Sequence, residues 1–138
     1  MSKPTMSAVV EWRQDNIFSA TSGSGHELVM DGDREQAASP MELVLMAAGG
    51  CSSVDVVSIL GKARQQVSAC RCDVTGQRAD ATPAVFTDIH LHFVVTGHAV
   101  AAQHVERAVA LSADKYCSVA KMLEASVRIT HSFAIEEA

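Results

Sequence analysis

The chain has 138 residues, of which 48% are hydrophobic and 20% charged, a composition typical of a globular protein. Its formal net charge is -5 and it has no run of basic residues, which argues against nucleic acid or an anionic membrane as a partner. At this length we expect a single domain over residues 1–138 with a substantial core.

The cellular compartment is predicted from the N-terminus and the cysteines. The first residues lack an apolar signal core followed by a cleavage site, so we expect a cytoplasmic protein. The longest uncharged helical stretch, Leu43 to Val54, has twelve residues, whereas a bilayer span needs roughly 20. The four cysteines are expected to be free thiols, and their spacing matches no zinc motif. We therefore expect no cofactor, no metal and no membrane association.

Five strands are predicted from residues that alternate between apolar and polar. They cover residues 6–12, 26–30, 67–76, 84–97 and 127–135. The short turn-forming segment between the third and fourth strands predicts a hairpin, in which Ile89, Leu91, Phe93 and Val95 form one apolar face.

Two helical regions separate these strands. Ser39 at the N-cap, Pro40 in the first turn and Glu42 form a capping box, which predicts a helix to about Arg64 with a buried first half. A second helical region is predicted from Ala101 to about Ala125, with a break near residues 114–118. The order of elements indicates an α+β fold, with an antiparallel sheet packed on a long central helix and a second, broken helix.

Two glycines, Gly49 and Gly50, directly precede Cys51 inside the long helix. A glycine in a helix interior costs roughly 0.5–1 kcal/mol relative to alanine, so a local reason is expected. Either another part of the chain approaches closely there, or the space beside the thiol must stay open.

The histidines invite a metal hypothesis, which would need ligands to converge from separate strands. His90 and His92 share a strand face with Asp88, opposite the apolar face, and we interpret this face as solvated. His131 lies among apolar residues of the last strand and is interpreted as a hydrogen-bonded core histidine.

The four cysteines fall into two groups. Cys70 and Cys72 share a strand face with Val74 and are predicted to be buried and inert. Cys51 lies among glycines and serines, and Cys117 lies at the helix break near Lys115, where Ser118 is positioned to cap a new helix. Because helix N-termini and nearby cations stabilise a thiolate, a lowered pKa is a hypothesis for either Cys51 or Cys117.

The segments "SPMELVLMAAGGCSSVDVV" and "LSADKYCSVAKMLEASVRITHSF" resemble the OsmC/Ohr family (osmotically inducible protein C and organic hydroperoxide resistance proteins), and within it the YhfA-like branch. The resemblance covers almost the whole chain, including the 66-residue separation of Cys51 from Cys117. It implies an intertwined homodimer with two-cysteine sites near the subunit interface.

The resemblance also implies roles for these residues. Cys51 would be the peroxidatic cysteine, which attacks an organic hydroperoxide, and Cys117 the resolving cysteine, which forms a disulfide with it. A small thiol reductant would then regenerate the pair. In peroxidase members a glutamate after the helix-starting proline pairs with an arginine from an N-terminal strand. Here Met41 occupies that position, and Arg13 is the candidate arginine, with Arg34 a weaker alternative.

Two functions are therefore predicted. The first is a thiol-dependent hydroperoxide reductase, of low activity or with an altered substrate, which the spacing of Cys51 and Cys117 favours. The alternative is a non-catalytic homodimer that binds a small apolar or thiol-reactive ligand, which Met41 favours.

Overall fold

The computed structural model describes residues 3–138. Within them the strands, in chain order, are Ala8–Gln14 (β1), Ile17–Ser22 (β2), Glu27–Asp31 (β3), Gln66–Arg78 (β4), Phe86–His98 (β5) and Arg128–Glu137 (β6). The helices are Pro40–Lys62 (α1), Ala102–Leu111 (α2), the π-helical turn Ser112–Tyr116 (π1) and Ser118–Leu123 (α3). The α+β class and the broken second helix are confirmed.

The chain forms two compact units, one ending at Val44 and one beginning at Leu45. In the first unit, β1, β2 and β3 form an antiparallel sheet with β2 in the centre. Strand β2 was not predicted from the sequence, because its serines and threonine merge with the turn-forming residues that follow.

One face of the β1–β3 sheet is apolar. Val10, Ala20 and Leu28 are paired with one another across the three strands. The neighbouring row on the same face consists of Trp12, Phe18 and Met30. The side chains at the sheet edges are open to solvent in the single chain, with Trp12 66% exposed and Leu28 46% exposed. A large apolar surface in this unit is therefore left uncovered.

In the second unit, β4, β5 and β6 form a sheet with β5 in the centre. The predicted β4–β5 hairpin is confirmed, and the predicted apolar face of β5 (Ile89, Leu91, Phe93 and Val95) is buried. The pairing of β6 with β5 is parallel, not antiparallel as expected. The helical segment from α2 to α3 returns the chain to the end of the sheet at which β5 begins, so that β6 can run parallel to β5.

The predicted capping box begins α1. The backbone N–H of Ser39 donates to Glu42 Oε1 at 2.9 Å, and the N–H of Glu42 donates to Ser39 Oγ at 3.2 Å. These two bonds satisfy backbone donors that a helix N-terminus otherwise leaves free. The helix ends at Lys62, two residues before the predicted end.

The uncharged stretch from Leu43 to Val54 was expected to be too short to span a bilayer, but it lies within a longer apolar helix. The helix has 23 residues, and its most apolar 18-residue window has a mean hydropathy of 1.9, so by length and composition it meets the criteria for a membrane span. Core helices of soluble proteins meet the same criteria. Only 28% of that window is buried. The prediction that the first half of α1 is buried is therefore wrong for the single chain. Met46, for example, is 57% exposed.

Candidate functional site: the Cys51 and Cys117 thiols

The two glycines before Cys51 have different surroundings. A Cβ atom at Gly49 would lie 2.7 Å from Cγ2 of Val74 on β4, so a glycine here allows the strand and α1 to pack closely. A Cβ atom at Gly50 would have no neighbouring atom within 4 Å. Close packing therefore explains Gly49, whereas the space at Gly50 is open in the single chain and neither explanation accounts for that glycine there.

Cys117 lies at the junction of π1 and α3 and is fully buried. Its sulfur accepts hydrogen bonds from the hydroxyl of Ser52 on α1 at 3.2 Å and from the backbone N–H of Ala120 at 3.3 Å. Cys117, and not Ser118 as expected, is thus the N-cap of α3. The extended backbone at Cys117 ends π1 and aims the sulfur at the first turn of α3.

The structure brings the two predicted cysteines together. Cys51 is half-buried on α1, and its thiol is a side-chain hydrogen-bond neighbour of the Cys117 thiol. One sulfur of the pair is therefore partly accessible, and the other is closed off from solvent.

The pKa of Cys117 is raised, and burial is the main cause. The hydrogen bonds from Ser52 and Ala120 lower the pKa, but by less than burial raises it, and the neighbouring Cys51 raises it further. The hypothesis of a lowered pKa for Cys117 is therefore wrong. The helix N-terminus does stabilise the thiolate, but inside the protein the loss of hydration outweighs it.

A buried serine and a carboxylate support this site. The hydroxyl of Ser112 is 3.1 Å from Asp55 Oδ2 and 3.3 Å from the carbonyl oxygen of Ser52, so it links π1 to α1. Neither Ser112 nor Asp55 was predicted from the sequence to have this role. A usable signal was present, because Asp55 is the first charged residue after the long apolar run of α1.

Comparison with known proteins identifies the family. The model of the OsmC-like protein family matches residues 31–132. The chain belongs to the OsmC-like protein family. Protein YhfA of Escherichia coli strain K12 is 53% identical to it over 131 residues, which are 94% of this chain and 98% of that protein.

Solved structures share the fold of this chain. A hypothetical protein from Aquifex aeolicus VF5 is 30% identical and superimposes with a TM-score of 0.89, over 99% of both chains. An organic hydroperoxide resistance protein OsmC from Legionella pneumophila is 14% identical, with a TM-score of 0.72 over 97% of this chain and 99% of that one. At 14% identity, the similarity to the Legionella pneumophila protein shows a common fold.

The arginines proposed to assist the OsmC-like site lie in the first unit. Arg13 is exposed and lies at a β-bulge, where the pairing of β1 with β2 shifts between Trp12 and Gln14. Arg34 lies in the loop after β3 and has a positive φ of 57°. A role beside Cys51 remains a prediction for both arginines.

The second pair of cysteines is half-buried, not fully buried as expected. Burial raises the pKa of Cys70, and it raises the pKa of Cys72 to about 11. The Cys72 thiol also has the hydroxyl of Ser53 on α1 as a hydrogen-bond partner. These thiols will be less reactive than free ones, because the thiolate is the reactive form.

The histidines differ from their sequence interpretation. The ring of His90 lies 2.7 Å from Thr130 Oγ1 and 2.8 Å from Ser132 Oγ, and His92 Nδ1 lies 2.7 Å from the same serine oxygen. This face is thus a half-buried polar network and not a solvated one. His131 is exposed and not a core residue. Within residues 3–138, no group of three metal-ligating side chains converges.

Proposed function

We propose that the protein is a thiol-dependent organic hydroperoxide reductase, with Cys51 as the peroxidatic and Cys117 as the resolving cysteine. The observation that carries this proposal is the contact between a partly accessible thiol and a fully buried one. A relative by fold is described as an organic hydroperoxide resistance protein, which supports the same chemistry.

In the proposed first step, the Cys51 thiolate attacks the terminal oxygen of a hydroperoxide. The O–O bond breaks, the alcohol leaves with a proton, and Cys51 becomes a sulfenic acid. In the second step, the Cys117 sulfur attacks the Cys51 sulfur, a disulfide forms, and the hydroxyl leaves as water. A dithiol reductant then returns two electrons through thiol–disulfide exchange and is itself oxidised to a disulfide.

The surroundings of Cys117 suit the resolving role. Its raised pKa keeps the buried thiol protonated at neutral pH, which directs the first attack to Cys51. The donors from Ser52 and Ala120 point at the sulfur where negative charge develops when the proton leaves. We expect slow turnover, because Met41 stands where the family resemblance implies a glutamate to orient the supporting arginine, proposed here as Arg13.

We further propose that the functional unit is a cytoplasmic homodimer. Met46, Val54 and Val57 are exposed on one side of α1. Gly50 and Gly61 lie on the same side, and a Cβ atom at either glycine would have no neighbouring atom within 4 Å. An exposed apolar helix face with small residues is suited to close contact with a second copy. The partners besides that copy would be the hydroperoxide and the thiol reductant.

The alternative is a homodimer that binds a small apolar or thiol-reactive ligand without turnover. The observation that favours it is the complete burial of Cys117, which closes one half of the pair to external reagents. The two functions differ in a measurable way, since only the reductase consumes peroxide.

The test follows peroxide loss and the masses of the cysteine peptides after reduced protein is mixed with cumene hydroperoxide or hydrogen peroxide. We expect an intramolecular Cys51–Cys117 disulfide and faster loss of the organic peroxide. Cys51→Ser should abolish consumption, and Cys117→Ser should leave a single oxidation with a sulfenic acid at Cys51. Equal consumption by the wild type and both variants would exclude the reductase and leave the binding function.

A further inference from the structure

The face of the β4–β6 sheet that points away from α1 carries imidazole and hydroxyl groups. A Cβ atom at Gly49 of α1 would contact Val74 of β4, and Val74 pairs with Leu91 of β5, so α1 covers the face that carries Leu91. His90 and His92 lie on the other face, because side chains alternate along a strand. Neither histidine takes part in the proposed thiol chemistry.

Two imidazole rings on this face meet at one hydroxyl oxygen. His90 Nε2 lies 2.8 Å from Ser132 Oγ, and His92 Nδ1 lies 2.7 Å from the same atom. The histidines are two residues apart on β5, and Ser132 is paired with His92 on the neighbouring strand β6. All three residues are half-buried. The parallel pairing of β5 with β6 therefore brings donors from two strands to one point.

The separations of these three donor atoms match a particular coordination geometry. Around an ion with bonds of about 2.0–2.1 Å, donors at right angles lie about 2.9 Å apart, whereas tetrahedral donors lie about 3.4 Å apart. The distances from the histidine nitrogens to Ser132 Oγ, 2.8 and 2.7 Å, fit the right-angled arrangement. Nitrogen and oxygen donors in a square-planar or tetragonal arrangement are typical of Cu²⁺ and Ni²⁺.

The geometry points to a binding site for Cu²⁺ or Ni²⁺ formed by His90 Nε2, His92 Nδ1 and Ser132 Oγ, with water in the remaining positions. The Nδ1–H of His90 donates to Thr130 Oγ1, 2.7 Å away, which orients the ring and leaves the lone pair on Nε2 for the ion. The third ligand is a hydroxyl, and within residues 3–138 no three side chains of His, Cys, Asp or Glu converge. The site is independent of the proposed reductase function.

The charges around the donors favour a transition metal over Ca²⁺ or Mg²⁺. Arg71 Nε lies 3.0 Å from Asp73 Oδ1, and Arg128 is paired in register with Asp88. The arginines therefore offset the charges of the two carboxylates on this face. The ligands themselves are neutral, whereas Ca²⁺ and Mg²⁺ bind chiefly to carboxylate, carbonyl and water oxygens.

The test is calorimetric titration of the reduced, untagged protein with Ni²⁺, which does not oxidise the thiols. We expect one ion to bind per chain. His92→Ala should weaken binding at least about tenfold, because it removes a ligand. His131→Ala is the matched control and should leave the affinity unchanged. His131 directly precedes Ser132 on β6, so its side chain lies on the opposite face of the sheet.

The orienting role of Thr130 is tested with two variants. Thr130→Val keeps the shape of the side chain but removes the hydroxyl, and it should weaken Ni²⁺ binding about tenfold. Thr130→Ser keeps the hydroxyl and should retain the wild-type affinity. Equal losses in both variants would contradict the role of the hydrogen bond to His90.

A measurement on the wild-type protein needs no variant. Ni²⁺ should change the imidazole nuclear magnetic resonance signals of His90 and His92, and leave those of the other four histidines unchanged. An equal change at all six would mean an adventitious ion only and would overturn the proposal. An unchanged affinity in His92→Ala would also overturn it, as would thiolate-to-nickel charge-transfer absorption, which would place the ion on the cysteines.

Discussion

The hydroxyl of Ser52 donates a hydrogen bond to the sulfur of Cys117 at 3.2 Å, although the two residues are 65 positions apart in the chain. This bond joins the central helix to the break in the second helical region. It also lowers the pKa of a thiol that burial otherwise raises. Ser52 therefore partly offsets the effect of burial on the Cys117 thiol, and the proposed resolving step depends on how readily that thiol ionises.

Ser52→Ala should raise the pKa of Cys117 further and slow disulfide formation at neutral pH. The loss of a buried hydrogen bond should also lower the free energy of unfolding by about 1 kcal/mol. Stopped-flow measurement of sulfenic acid decay against pH is the test, and the rate profile should move to higher pH. Ser53→Ala is the control, because the Ser53 hydroxyl contacts Cys72 instead. An unchanged profile would contradict the role of Ser52.

Gly49→Ala should destabilise the protein by about 1–3 kcal/mol, because the new Cβ overpacks the contact with β4. That Cβ would lie 2.7 Å from Cγ2 of Val74. Urea denaturation measures the loss. Combining the change with Val74→Ala should recover part of the stability, since it removes the clashing methyl group. If the double variant is as unstable as the sum of the single variants, the close contact is not the reason for the glycine.

Cys72 should react with iodoacetamide about a hundredfold more slowly than a free thiol at neutral pH. The reason is its pKa of about 11, two units above the ordinary value of 9.0. Mass spectrometry of peptides from native protein alkylated for increasing times gives the rate. The unfolded protein is the control, in which Cys72 should regain the ordinary rate. Fast labelling in the native state would show that the thiol is not shielded.

Val54→Glu should dissociate the proposed homodimer at micromolar concentration. Val54 is 71% exposed on the apolar face of α1, so a charge there would be buried without a partner at the interface. Val85→Glu is the control, because Val85 is 52% exposed but lies just before β5 and outside that face. Sedimentation velocity distinguishes the species. A monomeric wild-type protein would refute the dimer itself.

Asp31→Asn should reduce stability at neutral pH and weaken its dependence on pH in acid. Backbone N–H groups of Gln36, Asp33 and Glu35 donate to the Asp31 carboxylate and lower its pKa. A carboxylate with a lowered folded-state pKa stabilises the protein above its unfolded pKa, about 3.9, and this contribution is lost as the pH falls further. Thermal unfolding between pH 2 and about 7 tests this, and Asp80→Asn in an exposed loop should have no such effect.

The sequence alone predicted the features that depend on neighbouring residues. The capping box at Ser39 and Glu42 is such a feature, since its two hydrogen bonds join residues three apart. The strands β4 and β5 could be recognised because alternation with period two reflects one buried face. The catalytic pairing of Cys51 with Cys117 came from the family resemblance and not from neighbouring residues, and it stays a prediction, although the two thiols are neighbours in the structure.

Only the tertiary structure decided the features that depend on distant parts of the chain. The raised pKa of Cys117 follows from its burial against α1, whereas the local sequence showed only a helix start and a lysine. The network around His90 exists because β6 pairs in parallel with β5 and brings Thr130 and Ser132 alongside. The elements that pack against a side chain determine how far it is dehydrated and which groups it hydrogen-bonds. Residue type and local spacing do not specify which distant elements those are.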